Sequence, residues 1–420
     1  MKDSGNPWVR EIPSDWFEKK LRYLVKLRGE KSVTTDYKKY VGLENIMSQT
    51  GQYVQTGIEV DLTENLTFEV GDILFGKLRP YLRKYWRAEF SGTASSEFVI
   101  IKGSSLNLNF LFWAIQSDSF INDVDSSTYG SKMPRASWEY MKNIKLPFPE
   151  SIEEQTQIAD FLDKKVAQLD KVKSLLEEQI KTLEDYRQSL IYETVTKGLD
   201  KTVPLKDSGV DWMGQIPEGW GVKPIKYLVS TPVTDGPHET PTLYDEGIPF
   251  LSAESVKNGI LDFRYKRGYI SETAHKIFSR KVSPQKNDIF IVKSGATTGN
   301  VGIVNTDEIF DIWSPLALVR TRSDLANQKF IYYFMLSDAF TKQIQNKWSF
   351  GTQQNIGMGV IEKIKLVVPP LGEQTPIADF LDKKTEQINQ MIAIKKEQIE
   401  NINKQRQTLI YDYVTGKRRV

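Results

Sequence analysis

An internal duplication limits what this chain can fold into more than any other feature. The segment EQTQIADFLDKK at 154–165 recurs almost unchanged as EQTPIADFLDKK at 373–384. RQSLIYETVT at 187–196 recurs at the same spacing as RQTLIYDYVT at 406–415. Further upstream, a KDSG run, an Ile-Pro pair and a tryptophan within 2–16 recur within 206–220. The chain is therefore predicted to consist of two structurally similar halves.

The repeated frames enclose dissimilar interiors. GDILFGK at 71–77 faintly resembles NDIFIVK at 287–293, and NIKLPFP at 143–149 resembles KIKLVVPP at 363–370. Gene duplication followed by drift is the simplest explanation. Drift alone would not preserve the repeated frames almost completely while it changes the interiors. The frames and the interiors are therefore predicted to have different functions.

The repeated segments are predicted to form two long helices that pair as a coiled coil. Apolar residues recur at heptad spacing in both, which is typical of a coiled-coil seam. The predicted seam residues, also the candidates for binding a partner protein, are Leu162, Leu169, Leu176, Leu183 and Leu190 in the first helix and Leu381, Ile388, Ile392, Ile399, Ile402 and Leu409 in the second. Ser151 with Glu154 forms a capping box, and Gly198 is a stop signal. The alternative is an amphipathic helix that rests on its own domain.

The connector between the halves favours an antiparallel pair. A helix of about 40 residues is roughly 60 Å long at 1.5 Å per residue. The connector reaches at most about 48 Å when fully extended. A parallel pair would require it to run back along the whole helix. We therefore expect an antiparallel coiled coil with approximate two-fold symmetry and one globular domain at each end.

The interiors are predicted to be α/β domains, which gives the chain a mixed α+β fold. Short β-rich runs such as GDILF, EFVIIKG, NDIFIVK and WSPLALVR are separated by Gly, Asn and Pro turns. The aromatic runs at 110–120 and 330–340 are each predicted to form one amphipathic helix. The predicted boundaries are a first domain at 1–150, a first helix at 151–198, a connector at 199–214, a second domain at 215–370 and a second helix at 371–416.

Composition excludes several functions. The chain has no cysteine and only two histidines, His238 and His275, which rules out disulfides, thiolate metal sites and a His-rich metal centre. No phosphate-binding loop, zinc-protease signature or amino-methyltransferase signature is present. No apolar run approaches a membrane span, and the start lacks the apolar stretch of a signal peptide. We therefore expect a soluble, cytoplasmic protein with no membrane contact, no metal and no catalytic residue.

Nucleic-acid binding would have to come from local patches, because Lys+Arg 56 and Asp+Glu 54 leave a net charge of only +2. In the first half, GKLRPYLRKYWR at 76–87 and YGSKMPR at 129–135 hold cations without an acid. Cations neutralise phosphates, and arginine can pair bidentately with guanine. The candidates are Lys77, Arg79, Arg83, Lys84, Lys132 and Arg135. The alternative is a solvated basic strand pair.

In the second half, three Gly-hinged polar segments are the candidates: TDGPHETP at 234–241, KSGATTGN at 293–300 and FGTQQN at 350–355. Asn and Gln can pair with adenine, and Thr can contact the thymine methyl group. The candidate residues are Thr234, Asp235, Gly236, His238, Thr240, Lys293, Ser294, Thr297, Thr298, Gln353, Gln354 and Asn355.

Over essentially its whole length the chain resembles the specificity (S) subunit of Type I restriction–modification systems. The motifs that carry the resemblance are E-Q-x-x-I-A-x-F-L-D at 154–163 and 373–382, I-P-x-x-W at 12–16 and 216–220, D-G-x-H-x-T-P at 235–241, K-x-G-A-T-x-G at 293–299 and the polar loop at 351–356. The first half departs from the D-G-x-H pattern and has RGEKSVTTDY at 28–37 instead.

The resemblance implies a DNA-reading subunit without catalysis of its own. Each domain would read one half of a bipartite, asymmetric target in double-stranded DNA. The coiled coil would set the spacer and bind two methyltransferase (modification) subunits. S-adenosylmethionine and ATP would be bound by partner subunits, the latter by restriction/translocase subunits. A fused nuclease or methyltransferase, and a coiled-coil adaptor that binds only proteins, are the alternatives.

Overall fold

The chain forms two compact units. The computed structural model describes residues 1–6, 9–33, 39–56, 64–130, 132–210, 213–347, 349–350 and 354–420. One unit comprises Met1–Glu177 and Lys396–Val420, and the other comprises Glu178–Lys395. Each contains a domain of mixed strands and helices together with part of each of two long helices, so the predicted α+β class is confirmed. No helix in the described ranges is long and apolar enough to cross a membrane.

The first unit is built on two four-stranded sheets, of order β5-β7-β10-β6 and β4-β11-β8-β9, and two two-stranded sheets, β1-β2 and β3-β12. The strands are β1 (Lys2–Asn6), β2 (Val9–Ile12), β3 (Trp16–Lys20), β4 (Val25–Leu27), β5 (Lys31–Val33), β6 (Tyr40–Val41), β7 (Glu64–Phe68), β8 (Ile73–Gly76), β9 (Tyr85–Arg87), β10 (Gly92–Ala94), β11 (Phe98–Ser104) and β12 (Lys145–Pro149). The helices are α1 (Leu108–Ala114), α2 (Asp118–Ser126), α3 (Trp138–Met141) and the long α4 (Ile152–Lys197).

The second unit has a six-stranded sheet of order β16-β24-β21-β22-β19-β18, a three-stranded sheet β20-β17-β23 and three strand pairs, β13-β14, β15-β27 and β25-β26. The strands are β13 (Leu205–Asp207), β14 (Gln215–Pro217), β15 (Gly221–Pro224), β16 (Thr234–Asp235), β17 (Ile248–Leu251), β18 (Val256–Lys257), β19 (Ile260–Leu261), β20 (Gly268–Ile270), β21 (Ile289–Val292), β22 (Val301–Ile303), β23 (Asp311–Ile312), β24 (Leu316–Val319), β25 (Ser349–Phe350), β26 (Gln354–Asn355) and β27 (Lys365–Val368). The helices are α5 (Glu272–Phe278), α6 (Gln328–Leu336), α7 (Asp338–Gln345), α8 (Met358–Ile361) and the long α9 (Leu371–Val414).

The first long helix begins and ends at the predicted signals. The hydroxyl of Ser151 accepts a hydrogen bond from the Glu154 backbone N–H at 3.3 Å, which satisfies one of the unpaired donors of the first turn. Helix α4 ends at Lys197, and Gly198 follows with a φ of +73°. Glycine adopts this left-handed conformation without the steric cost that a Cβ would add.

The two long helices are antiparallel within the first unit. The rings of Phe161 and Tyr413 lie 4.5 Å apart, and Arg406 Nε lies 3.6 Å from Asp170 Oδ1. Residue numbers therefore rise along α4 as they fall along α9.

The same direction holds within the second unit. Lys395 Nζ donates to Gln179 Oε1 at 2.5 Å, and Arg187 Nη1 donates to Asn389 Oδ1 at 2.5 Å. The antiparallel pairing predicted from the connector length is confirmed in each unit.

The repeated tryptophan and glutamate join each domain to a helix start. Trp16 Nε1 donates to Glu154 Oε1 at 3.3 Å, and Trp220 Nε1 donates to Glu373 Oε2 at 3.1 Å. Both indole rings are buried, so the indole N–H needs a partner inside the protein. This contact explains why the I-P-x-x-W and E-Q motifs recur together.

The glutamine that follows each of these glutamates is buried, and both its amide nitrogen and its amide oxygen are hydrogen-bonded. The Gln155 side chain donates to the Pro149 carbonyl and accepts from the Asn107 backbone N–H, both at 2.8 Å. Gln374 donates to the carbonyl before α9 at 2.9 Å and accepts from the Asn327 N–H at 2.7 Å. One side chain therefore ties the last strand, the domain helix and the long helix together in each unit.

The variant Gln155→Ala is expected to lower the free energy of unfolding by about 1–3 kcal/mol, because it leaves a buried N–H and a buried carbonyl unpaired. Gln157→Ala is the matched control, since that side chain is exposed two residues further along the same helix and its loss should cost less than about 0.5 kcal/mol. Urea unfolding of both variants makes the comparison. Equal costs would show that Gln155 does not tie the unit together.

The predicted single helices at 110–120 and 330–340 are wrong. Each run forms two helices, α1 and α2 in the first unit and α6 and α7 in the second, which part at a buried serine. Ser117 Oγ donates to the Ala114 carbonyl at 2.7 Å and accepts from the Phe120 N–H at 3.3 Å. Ser337 Oγ donates to the Phe334 carbonyl at 2.6 Å. Serine competes for backbone groups in this way, and this favours a helix end over a helix interior.

Candidate nucleic-acid interface

Three predicted segments of the second unit converge on the end of β21. The Lys293 carbonyl accepts from the Ile356 N–H at 2.8 Å, and the Gln354 carbonyl accepts from the Gly295 N–H at 3.3 Å. Ser294 and Asn355 form an antiparallel bridge. The Lys293 ammonium lies 2.9 Å from Asp235 Oδ2, which brings in the segment at 234–241.

Asp235 is the electrostatic centre of this site. Its carboxylate is completely buried and lies 2.7 Å from Lys281 Nζ, 2.9 Å from Lys293 Nζ and 3.1 Å from His238 Nε2. Burial acts to raise the pKa of Asp235, but the hydrogen bonds and charges of the two lysines outweigh it and hold the pKa below its ordinary value. Asp235 therefore positions cations and does not face solvent.

Of the other residues in the D-G-x-H segment, some are enclosed by the fold and the others are exposed to solvent. A Cβ on Gly236 would lie 2.1 Å from the Ile312 carbonyl oxygen, so only glycine fits there. Thr234 is half-buried in β16, where it pairs with Leu318 of β24. The side chains of His238, Glu239 and Thr240 are exposed, and they are the part of this segment that can meet a ligand.

The loop after β21 is held by its own threonine. Thr298 is buried, and its hydroxyl donates to the Gly295 carbonyl at 2.7 Å and lies 3.2 Å from the Gln354 carbonyl. Thr297 is half-exposed. Thr298 therefore stabilises the conformation of this loop. The predicted residue Gln353 lies outside the described residues.

The two basic segments of the first unit also lie side by side. The Lys77 carbonyl accepts from the Ala136 N–H at 2.9 Å, and the Arg79 N–H donates to the Pro134 carbonyl at 2.7 Å. Arg79 Nη2 also donates to the Lys132 carbonyl at 3.0 Å. The structure thus brings the segments at 76–87 and 129–135 together.

Much of the predicted basic patch forms hydrogen bonds and ion pairs within the first unit. Arg83 Nη2 lies 2.5 Å from Asp118 Oδ1, and the guanidinium also donates to Gln407 at 3.2 Å. Lys84 Nζ donates to two backbone carbonyls at 2.6 and 2.8 Å. Burial lowers the pKa of both Lys77 and Lys84. These cations stabilise the domain, and their contact with DNA stays a prediction.

The exposed charge of the first unit lies on the second of these segments. Lys132 is exposed, and Arg135 is exposed while it pairs with Glu97. The Tyr129 and Met133 side chains of the same loop are also exposed, at 65% and 59%. This loop is the most accessible part of the first unit's candidate site.

The two candidate sites share one backbone frame. Lys77 and Lys293 follow the equivalent strands β8 and β21, and their N–H groups both donate across the sheet at 2.8 Å, to Glu97 and Pro315. Their carbonyls accept equivalent bonds from Ala136 and Ile356. The side chains on this frame differ, since the first unit presents cations and the second presents amides and hydroxyls.

Sequence reasoning missed Lys281. It lies 46 residues from Asp235 in the chain, in the turn after α5, and donates to Asp235 Oδ1 at 2.7 Å and to the Gly236 carbonyl at 3.1 Å. No local motif marks it. In the described part of the chain no group of three or more His, Asp and Glu side chains could hold a metal ion.

Four of the predicted seam residues pack against the core of their own unit, namely Leu162 and Leu409 in the first and Leu190 and Leu381 in the second. Leu162, Leu381, Ile388 and Ile392 are buried, while Leu169, Leu176, Leu183, Leu190, Ile399, Ile402 and Leu409 are partly exposed. Leu162 belongs to the first unit's main core and Leu381 to that of the second. Binding of a partner protein by these residues stays a prediction.

Comparison with known proteins gives a consistent result. The sequence pattern of the Type I restriction modification DNA specificity domain matches residues 13–184 and 217–402, one match in each half. The chain is similar to the Type I restriction enzyme MjaVIII specificity subunit of Methanocaldococcus jannaschii, with 25% identity over 97% of this chain and 94% of the relative. It is also similar to the Type I restriction enzyme EcoBI specificity subunit of Escherichia coli, with 22% identity over 70% of this chain and 63% of that one.

A solved structure shares the fold. A chain from a study of complex assembly and conformational transition of the type I R-M system matches with a TM-score of 0.73 and 19% identity. The match covers 97% of this chain and 100% of the other.

Proposed function

This chain belongs to the Type I restriction modification DNA specificity family, and from that premise we propose that each of its units reads one half of an asymmetric, bipartite target in double-stranded DNA. The observation that carries the proposal is the shared backbone frame with unlike side chains. Two equal frames with equal side chains would read a repeated sequence. Two equal frames with different side chains read two different sequences.

The chemistry of each site suits base reading. In the second unit, Gln354 and Asn355 stand next to Lys293 on the loop pair, and amide side chains pair bidentately with adenine. In the first unit, Arg135 and Lys132 suit guanine, which offers two acceptors in the major groove. The remaining cations fix the register of the protein on the phosphates, while a few side chains specify bases.

We further propose that the chain carries out no reaction itself. Two methyltransferase (modification) subunits bind its long helices and supply S-adenosylmethionine. Restriction/translocase subunits supply the ATP-dependent steps. The near-exact repetition of the start of each long helix, at 154–165 and 373–384, supports two copies of one partner, because that part of the surface is present twice.

Sequencing of methylated bases tests the reading of DNA. In cells that express this chain with modification subunits, we expect one target composed of two unlike halves separated by a spacer of unspecified bases. A palindromic target, or one uninterrupted sequence, would contradict the division between the units.

Lengthening the two long helices is expected to lengthen the spacer between the two halves of the DNA target. One additional heptad in both helices, between residues 177 and 178 and between residues 395 and 396, keeps the seam in phase and adds about 10 Å, which corresponds to roughly three base pairs. Methylome sequencing of this variant should show a spacer longer by that amount. Seven residues added between Thr202 and Val203, in the turn between α4 and β13, are the control, and they should leave the spacer unchanged. A spacer unchanged by the helix insertions would rule out a role of the helices in spacing.

A further inference from the structure

The loop at 129–135, in the first unit's candidate site, exposes two apolar side chains. Tyr129 is 65% exposed and Met133 is 59% exposed. A single exposed apolar residue is common on protein surfaces and needs no explanation. These two lie within five residues of each other on one basic loop, and together they form what we name the apolar tip.

Hydrogen bonds hold the loop in place. The Arg135 N–H donates to the Tyr129 carbonyl at 3.2 Å, which closes the turn. The Arg79 N–H donates to the Pro134 carbonyl at 2.7 Å, and Arg79 Nη2 donates to the Lys132 carbonyl at 3.0 Å. The apolar tip is therefore presented on a fixed turn, so little conformational freedom of the backbone is lost when it binds a ligand.

The loop that carries the apolar tip is positively charged. Its segment YGSKMPR contains Lys132 and Arg135 and no acidic residue. Both cations are exposed, and Arg135 also pairs with Glu97. An apolar surface between cations matches the major groove of DNA at a thymine. There an apolar methyl group lies beside a hydrogen-bond acceptor, between the phosphates of the two strands.

The second unit has polar residues at the equivalent positions. Tyr129 forms a β-bridge with Arg135, and Ser349 pairs with Asn355 in the same way. The glutamine two residues before Asn355, outside the described residues, corresponds in sequence to Met133. A surface for a protein that binds twice would be repeated in both units. A surface that differs between the units suits a ligand that differs too, as the two proposed half-targets do.

The chemistry of Met133 limits what it can recognise in DNA. A thioether has no hydrogen-bond donor and is only a weak acceptor, so it does not read the polar edge of a base. The apolar group that a base presents in the major groove is the C5-methyl group of thymine. On the basis of the proposed function, we infer that the apolar tip is a specificity-determining element that reads thymine, through this methyl group, in the first half-target.

Deoxyuridine tests this inference, because it differs from thymidine only in lacking the methyl group. Each thymine of the half-target that Lys132 and Arg135 specify is replaced in turn, and affinity is measured with the full chain bound to its modification subunits. We expect at least one replacement to weaken binding about fourfold, the value of one buried methyl group. The variant Tyr129→Ala with Met133→Ala should bind the unmodified duplex at least about fourfold more weakly. In this variant, deoxyuridine at the same position should cause no further loss.

A matched control is present in the same unit. Tyr23→Ala with Met47→Ala removes a tyrosine and a methionine that are 68% and 46% exposed outside the loop at 129–135. This pair should keep both the affinity and the sensitivity to deoxyuridine. Met133→Leu retains an apolar side chain and should keep the preference for thymine. Thymines of the other half-target should respond equally in the wild type and in the variant that lacks the apolar tip.

Three results would overturn the inference. The first is a half-target without thymine, or one in which no deoxyuridine weakens binding. The second is sensitivity to deoxyuridine that persists without the apolar tip, which would assign the reading of thymine to other residues. The third is loss of the modification subunits from this variant on size exclusion, which would make the tip a protein-binding surface. Failure of the proposed function is seen separately, as equal affinity of the unaltered complex for target and random duplexes.

Discussion

The variant Asp235→Ala is expected to lower the free energy of unfolding of the second unit by about 3–5 kcal/mol. The buried carboxylate is the shared counter-charge of Lys281 and Lys293. The Lys293 side chain is only 12% exposed, so without Asp235 it would be a buried charge with its counter-ion removed. Hydrogen exchange of the second unit's amides in the full chain measures the loss.

At low pH the wild type and the Asp235→Ala variant should have the same free energy of unfolding. Because the pKa of Asp235 is held below its ordinary value of 3.8, its stabilisation is complete above that pH and is lost as the pH falls through the lowered value. Asp307→Ala is the control, since its pair with Lys286 is exposed and should contribute less than about 1 kcal/mol. If the two variants lose similar amounts of unfolding free energy, Asp235 is not the residue that holds the cations of the site in place.

Replacing Lys132 and Arg135 by alanine is expected to weaken binding to the target by a factor of about 5–150, the value of one bidentate base contact of about 1–3 kcal/mol. The loop that carries them is exposed, so the loss does not act through the core. Fluorescence anisotropy with a target duplex and with a random duplex measures it. Lys26→Ala, an exposed cation of β4, is the control and should leave discrimination unchanged. Equal losses on both duplexes would show that the loop contacts phosphates only.

The frame of the molecule could be predicted because its signals are local and occur twice. The start of α4 at Ser151, its end before Gly198 and the strands β8, β11, β21 and β24 all follow from short-range patterns. The breaks at Ser117 and Ser337 were missed because the flanking aromatics are apolar on both sides of each break. A buried serine that caps a helix gives no sign in hydrophobic spacing.

The candidate site was predicted less completely, because charge in a sequence does not report exposure. Arg83 and Lys84 look like parts of a DNA-binding patch, yet they pair with Asp118 and with backbone carbonyls. Asp235 and Lys281 are far apart in the chain, and only the fold brings them together. Likewise, only the fold shows that the candidate segments around Lys293 and Gln354 lie next to each other.

The most direct test of two unlike readers is to determine the target of two variants by methylome sequencing. One variant carries Lys132→Ala with Arg135→Ala, and the other carries Gln354→Ala with Asn355→Ala. We expect each to relax the sequence of one half of the target and to leave the other half intact, with opposite halves affected. If both variants change the same half, or if each changes both halves equally, the two units do not read DNA independently.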